Sequence, residues 1–190
     1  MVQQSSPALA PGQRLGFGPR VGAAIQTAYV VEDVRQAIQW WIDRAHVGPW
    51  FLLDHFLQPD QRYRGAPATA DVAIAMSFAG SMNIELIQPL DSNPSVYRET
   101  IERRGYGFHH VGIAVADVDA RIADDAREGY EVAFRAAVPT GGAVAYLDDK
   151  VNDPGFLELI PATAGMDATF TRFWQATADW DGSDPIRAFL

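Results

Sequence analysis

The chain of 190 residues contains no cysteine, which excludes disulfides, thiolate metal sites and cysteine nucleophiles. The lack of cysteine fits a reducing compartment, so we expect a cytoplasmic protein. No stretch approaches about eighteen consecutive apolar residues, so no transmembrane helix is expected. The first residues lack a basic region followed by an apolar run, so no secretory signal is expected either.

Basic residues are scarce relative to acidic ones. The sequence has 15 Lys and Arg against 24 Asp and Glu, and its formal net charge is −9. Such a surface does not favour phosphate backbones or anionic membranes, so neither nucleic acid nor a membrane is expected as a partner. Hydrophobic residues make up 48% of the chain, enough for the core of one compact domain or of two fused repeats.

Two segments of the chain, 23–38 and 107–122, share one layout. Each begins with an apolar strand that carries a polar residue, and an Asp-Val pair follows this residue seven positions later. The aspartates of these pairs, Asp33 and Asp117, are predicted to cap the N-termini of two helices. The repetition indicates that the chain consists of two similar modules.

Three further strands are predicted after each helix, so each half of the chain has the pattern βαβββ. The last strand of each half carries a glutamate in a similar setting, Glu85 in "IELIQP" and Glu158 in "LELIP". The predicted fold class is therefore α+β, with two βαβββ repeats forming a curled mixed sheet around a half-barrel cleft. A polar stretch at 57–69 is interpreted as an insertion or a mobile loop.

The repeats divide the chain into five predicted parts. They are a flexible N-terminal arm (1–22), a first βαβββ module (23–92), a linker helix (93–106), a second βαβββ module (107–161) and a C-terminal aromatic helix with a tail (162–190).

A pseudo-two-fold relation between the modules would bring equivalent positions to face each other across the cleft. Gln26 and His110 lie on the first strands, and Glu85 and Glu158 lie on the last strands. Two buried carboxylates without a Lys or Arg partner are costly, and a divalent cation removes that cost. We therefore predict that these four residues bind one metal ion, with Zn, Ni, Co, Mn and Fe as candidates. Alternation along the strand directs His109 to the other face.

The repeated layout, the motif "HHVGIAVADVD" and the strand endings "IEL" and "LEL" resemble the vicinal oxygen chelate superfamily. This superfamily includes glyoxalase I, methylmalonyl-CoA epimerase, extradiol dioxygenases and bleomycin-resistance proteins, and the resemblance spans about residues 23–161. The set Gln, Glu, His and Glu is that of eukaryotic-type glyoxalase I. The linker between the halves is similar to the epimerase branch, in which the first-strand ligand is usually histidine.

The resemblance implies a metal-dependent isomerase, epimerase or lyase that chelates a carbonyl compound and removes an adjacent proton through an enolate-type intermediate. Glu158 is the implied base, and Glu85 is the candidate on the opposite face of the substrate. A hydrophobic or aromatic carbonyl compound or an acyl thioester is the expected small-molecule substrate. Two alternatives stay open, a metal-free protein that sequesters an aromatic ligand and an Fe(II) extradiol-type dioxygenase.

Aromatic side chains are expected to line the substrate pocket. The candidates are Trp50, His55, Phe78, Tyr146, Phe156 and Trp174. The aromatic helix at 168–180 has two interpretations, a lid over the cleft or part of a dimer interface. Members of the superfamily often dimerise, so a homodimer is one state that the resemblance allows.

Overall fold

Both halves of the chain fold into one strand, one helix and three further strands, and the first half also carries an inserted hairpin. The computed structural model describes residues 7–58, 60–149 and 155–189. The first half contains β1 (Ala24–Val30), α1 (Val34–Ala45), β2 (Trp50–Phe56), β3 (Arg62–Tyr63), β4 (Ala66–Pro67), β5 (Val72–Ala79) and β6 (Met82–Pro89). The second half follows the linker helix α2 (Val96–Arg104) and contains β7 (Gly107–Val115), α3 (Val118–Ala126), β8 (Glu131–Ala137), β9 (Ala143–Asp148) and β10 (Phe156–Pro161). Helix α4 (Ala164–Thr177) and strand β11 (Ile186–Ala188) end the described chain.

The two Asp-Val pairs begin helices, as predicted. The Asp33 carboxylate accepts hydrogen bonds from the backbone N–H groups of Arg35 and Gln36 at the start of α1. The Asp117 carboxylate accepts one from the N–H of Ala120 at the start of α3. Each cap satisfies donors that have no partner inside the helix, so the repeated sequence motif fixes where both helices begin.

The strands of the described residues form one mixed sheet, in the order β11-β2-β5-β6-β1-β7-β10-β9-β8-β3-β4. Strand β1 runs parallel to β6, and its equivalent β7 runs parallel to β10. The two modules meet where β1 pairs antiparallel with β7. The predicted fold class, two βαβββ repeats that form a curled mixed sheet, is confirmed.

The two faces of the sheet are covered by different elements. One face packs against α1 through Val34 and Ile38 and against α3 through Val118. The other face carries the largest apolar cluster, which includes Phe170 and Phe173 of α4. Since side chains alternate along each strand, residues on this second face point toward α4 and away from α1 and α3.

The segment before β1 is packed against the core, which differs from the flexible arm expected for 1–22. Leu15 and Phe17 are 2% and 1% exposed. The ring of Phe17 lies 5.3 Å from that of Phe78 and 5.7 Å from that of Phe170. These apolar contacts hold the segment beneath α4, because exposing both side chains would cost several kcal/mol. Residues 1–6 of the predicted arm lie outside the described residues.

The insertion at 57–69 contains a hairpin, and the mobile-loop interpretation is wrong for its strands. Strand β3 pairs with β4 and also with β8 of the second module. The Arg64 guanidinium lies 2.6 Å from carboxylate oxygens of both Glu99 and Asp148. The hairpin therefore joins the first module to the far edge of the second through both backbone pairing and charge.

The bounds of the other predicted parts stay predictions, and two further helices lie within them. Helix α2 lies within the predicted linker 93–106, and α4 lies within the predicted C-terminal part 162–190. Residues 150–154 and Leu190, which belong to the predicted second module and tail, lie outside the described residues. Within the part of the chain that is described, no helix has the length and apolar character needed to cross a membrane.

Helix α4 is attached to the sheet by Phe173, whose ring stacks on that of Phe51 at a centroid distance of 3.9 Å. Phe173→Ala should therefore lower the free energy of unfolding by about 3–5 kcal/mol, measured by urea denaturation. Gln175→Ala changes an exposed residue on the same helix and should stay within about 0.5 kcal/mol of the unchanged protein. Equal effects of the two substitutions would contradict this docking of α4.

Candidate metal centre

Two neighbouring rows of the sheet place the four predicted ligands close together on one face. Across adjacent strands the first row is Glu85–Ala28–His110 and the second is Gln26–Gly112–Glu158. The middle residue of each row is small and leaves space between the polar side chains. A Cβ atom on Gly112 would lie only 2.7 Å from Gln26 Oε1, so this space depends on glycine.

Glu85, His110 and Glu158 converge in the protein interior. His110 Nε2 lies 2.9 Å from Glu158 Oε2 and 3.3 Å from Glu85 Oε2. One potential ligand atom from each residue lies within 4.8 Å of the others, and all three residues are buried. These residues could therefore hold a metal ion, and they come from both modules.

Four buried polar atoms in this group lack an aligned hydrogen bond: Gln26 Oε1, Glu85 Oε2, His110 Nε2 and Glu158 Oε2. The imidazole and the carboxylates are close enough to attract each other, but their orientations do not form regular hydrogen bonds. Buried polar groups are normally satisfied, so four such atoms in one place indicate a missing partner. One nitrogen and three oxygens suit a divalent ion of the borderline type, and the residues present fit a metal.

The amide of Gln26 is oriented by a neighbour that sequence reasoning missed. Gln26 Nε2 donates to Asn83 Oδ1 at 3.1 Å, and Asn83 Nδ2 donates to the backbone carbonyl of Ser77 at 3.1 Å. These bonds use the amide nitrogen and leave the Gln26 oxygen free. The available signal was position, since Asn83 lies two residues before Glu85 on β6 and shares its face.

His109 lies on the same face of the sheet as His110, so the opposite face that alternation predicted for it is wrong. The pairing of β1 with β7 shifts register between His110 and Phe108, and this bulge turns His109 toward Tyr97, Tyr146 and Phe156. His109 Nδ1 is 2.8 Å from Nδ1 of His110, and the His109 ring stacks on Tyr97 at 5.2 Å. Burial, with the charge of His110 adding to it, holds the pKa of His109 well below its ordinary value. The neutral His109 therefore accepts a hydrogen bond from His110 Nδ1–H, which directs Nε2 of His110 toward the carboxylates.

The buried charges shift the protonation of the site. Burial alone lowers the pKa of His110, but the two nearby carboxylates, Glu158 first, outweigh it and raise the pKa to about 9. Burial also raises the pKa of Glu85, and the proximity of His110 offsets only part of this effect. Without a metal, a proton on His110 partly neutralises the two carboxylates at neutral pH.

A cavity lies above these residues, with a water-accessible volume of about 60 Å³. Its polar lining includes Gln26, Glu85, Glu158 and the hydroxyl-bearing residues Tyr97 and Tyr146. Burial is the main cause that raises the pKa of both tyrosines, so both hydroxyls are protonated. Tyr97 belongs to the linker helix, outside the repeated strands, so the repeat pattern carried no signal for it.

Of the six predicted pocket residues, only Tyr146 lines this cavity. Trp50 packs with α1, and His55 is exposed and pairs with Asp71. Phe78 contacts Phe17 and Phe170, and Phe156 contacts His109. Trp174 is half-buried on α4. On β2 the predicted residues Trp50 and His55 do not line the cavity, because the strand turns other side chains toward it. Leu53 faces the cavity, and a bulge between Leu53 and Phe56 returns Phe56 to the same side.

The sequence model of the Glyoxalase/Bleomycin resistance protein/Dioxygenase superfamily matches residues 25–146 of this chain. The match covers more than half of the 190 residues, and the chain belongs to this superfamily. This is the superfamily that the motifs predict, since the vicinal oxygen chelate superfamily includes the glyoxalases, bleomycin-resistance proteins and dioxygenases that the family model is named after. A comparison with curated protein sequences finds no match.

Solved structures with the same fold include two methylmalonyl-CoA epimerases. The enzyme from Mycobacterium tuberculosis is 20% identical, with a TM-score of 0.56, and the alignment covers 84% of this chain and 96% of the other. A variant of the Streptomyces coelicolor enzyme in complex with 2-nitronate-propionyl-CoA is 17% identical, with a TM-score of 0.55 and coverages of 76% and 96%. A hypothetical protein from Bacillus halodurans C-125 is 22% identical, with a TM-score of 0.54 and coverages of 72% and 91%. At these identities the similarity shows the fold.

Metal uptake should release protons, because His110, with a pKa of about 9, must lose its proton to bind an ion. Apparent affinity for Zn(II) should rise by about tenfold per pH unit between about pH 6 and 8 and level off above about pH 9. Titration calorimetry in two buffers with different protonation enthalpies measures the protons released at pH 7, and at least one per metal is expected. Release of none would contradict His110 as a ligand.

Proposed function

We propose that this protein is a metal-dependent isomerase, epimerase or lyase that moves a proton at a carbon next to a carbonyl group. The observation that carries the proposal is the group of four buried, unsatisfied polar atoms directly below a partly open cavity. Gln26, Glu85, His110 and Glu158 would hold one divalent ion. When bound, the ion would act as a Lewis acid that polarises the substrate carbonyl and acidifies the adjacent C–H bond.

Glu158 and Glu85 are the residues proposed to move the proton. They border the cavity from β10 and β6, the equivalent last strands of the two modules, so a substrate bound above the ion would have one carboxylate toward each side. One carboxylate can take a proton and the other can return one to the opposite face, as an epimerase requires. An isomerase or lyase outcome needs only one of them as the base.

The surroundings of the two carboxylates differ and support Glu158 as the first base. Tyr146 is the cross-strand neighbour of Glu158, whereas Met76 is the cross-strand neighbour of Glu85. A protonated phenol beside Glu158 can donate a hydrogen bond to a substrate oxygen as negative charge develops on it. A thioether beside Glu85 offers no comparable donor.

The expected substrate is a hydrophobic or aromatic carbonyl compound or an acyl thioester. The apolar cavity supports the first class, and the fold similarity to methylmalonyl-CoA epimerases supports the second. Sequestration of a ligand without a metal would use the same cavity, but it gives no role to two buried carboxylates. The homodimer and the cytoplasmic location stay predictions.

Glu158→Gln should weaken binding of Zn(II) at least a hundredfold, because it removes one of the two ligand charges. It should also abolish exchange of carbon-bound hydrogen for deuterium in 2-hydroxyacetophenone, followed by NMR in D₂O with metal-loaded protein. Glu128→Gln removes the same charge from an exposed position in the turn after α3 and should leave both properties unchanged.

Two outcomes would overturn the proposed function. One is a Glu158→Gln variant that keeps full metal occupancy and the exchange rate of the unchanged protein. The other is purified protein that contains no divalent metal by elemental analysis and takes none up on addition, which would favour ligand sequestration.

A further inference from the structure

The C-terminal segment, residues 164–189, forms the wall of the cavity opposite the candidate metal centre. Met166 and Phe170 of α4 and Phe189 after β11 all line the cavity. The ring of Phe189 packs at 5.0 Å against that of Phe173, and the Arg172 guanidinium donates to the Phe189 carbonyl. Strand β11 pairs with β2, which fixes the tail at the edge of the sheet.

This segment lies outside the two βαβββ modules and outside the family match, which ends at residue 146. The C-terminal segment is therefore a wall over the candidate metal ligands that the two repeats themselves do not provide. Its three side chains in the cavity are large and apolar, so it limits both the size and the polarity of what can bind.

The charge of the cavity is also restrictive. Among the described residues that line it, Glu85 and Glu158 carry negative charge and none is Lys or Arg. A divalent ion bound with neutral His110 would cancel the two carboxylates and leave the site neutral. A negatively charged ligand would then bring an unbalanced charge into an apolar enclosure, which is costly without a basic partner.

Among the described residues, the side chains at the mouth of the cavity are uncharged as well. The lining residues that are half-buried or exposed are Leu53, Val138, Pro139 and Thr140. A ligand that carries phosphates outside the cavity is normally held by Arg or Lys beside the entrance. These four side chains offer one hydroxyl and no positive charge.

We propose that the C-terminal wall and the uncharged mouth restrict this protein to compact, neutral carbonyl compounds and exclude acyl-coenzyme A thioesters. The inference rests on the proposed function and narrows its substrate class. Of the two substrate classes proposed above, this restriction keeps the hydrophobic carbonyl compound and excludes the thioester. The substrate of this chain would then differ from that of the epimerases that share its fold.

Charge selection is tested with two probes of similar size, neutral 2-hydroxyacetophenone and anionic phenylglyoxylate, and with propionyl-CoA. Calorimetry on metal-loaded protein should show at least tenfold tighter binding of 2-hydroxyacetophenone than of phenylglyoxylate, and no binding of propionyl-CoA. Leu53→Arg should improve phenylglyoxylate binding at least tenfold, whereas the neutral control Leu53→Gln should not. Tighter binding of either anion than of 2-hydroxyacetophenone to the unchanged protein would overturn the proposal.

Size selection is tested with benzoin, a neutral hydroxy ketone with a second phenyl ring. It should bind the unchanged protein at least tenfold more weakly than 2-hydroxyacetophenone. Phe189→Ala should remove most of that difference by opening the wall, and the exposed control Gln175→Ala should preserve it. Equal binding of the two ketones to the unchanged protein would show that the C-terminal segment sets no size limit.

The outcomes separate this inference from the proposed function. If the protein exchanges carbon-bound hydrogen but binds propionyl-CoA tightly, the proposed chemistry stands and the substrate restriction fails. If the metal-loaded protein selects 2-hydroxyacetophenone in the predicted way but catalyses no exchange, the restriction stands and the chemistry fails.

Discussion

The attraction between two buried carboxylates and one imidazole is the interaction on which the candidate site depends. Glu85 and Glu158 come from separate modules, yet both lie within 3.3 Å of His110 Nε2. Charges of the same sign remain close in an apolar interior only if a positive charge lies between them. A protonated His110 meets part of that need, and a divalent ion would meet it fully. The modules are thus joined at their centre by electrostatics as well as by strand pairing.

The repeat made much of this architecture predictable. Asp33 and Asp117 fixed the starts of two helices because capping is a local property of the sequence. Equivalent positions in two similar modules must face each other across a pseudo-two-fold axis, so Gln26, His110 and the two glutamates could be grouped before any contact was known. Strand alternation failed for His109, because a bulge in β7 keeps it on the same face as His110, and a bulge depends on pairing with β1 that the sequence does not show.

Other features were beyond the sequence because they depend on contacts between distant segments. The aromatic residues of β2 could not be assigned to a face, since the bulge after Leu53 changes the phase of the strand. The Asn83 side chain orients Gln26 only through tertiary packing. Burial of Phe17 likewise depends on Phe170, which lies more than 150 residues later in the chain. Local patterns carry no record of such partners.

The β3–β4 hairpin has a mechanical consequence for the cleft. The hairpin follows β2 in the chain, near one edge of the sheet, and pairs with β8 near the other edge. It therefore links the two ends of the curled sheet. Arg64 anchors this hairpin through its ion pairs with Glu99 and Asp148. Lengthening the connection between β2 and β3 should loosen this tie between the two ends of the sheet while every candidate metal ligand stays on its own strand. The curvature of the sheet, and with it the capacity of the interior, is in this sense adjustable from a surface loop.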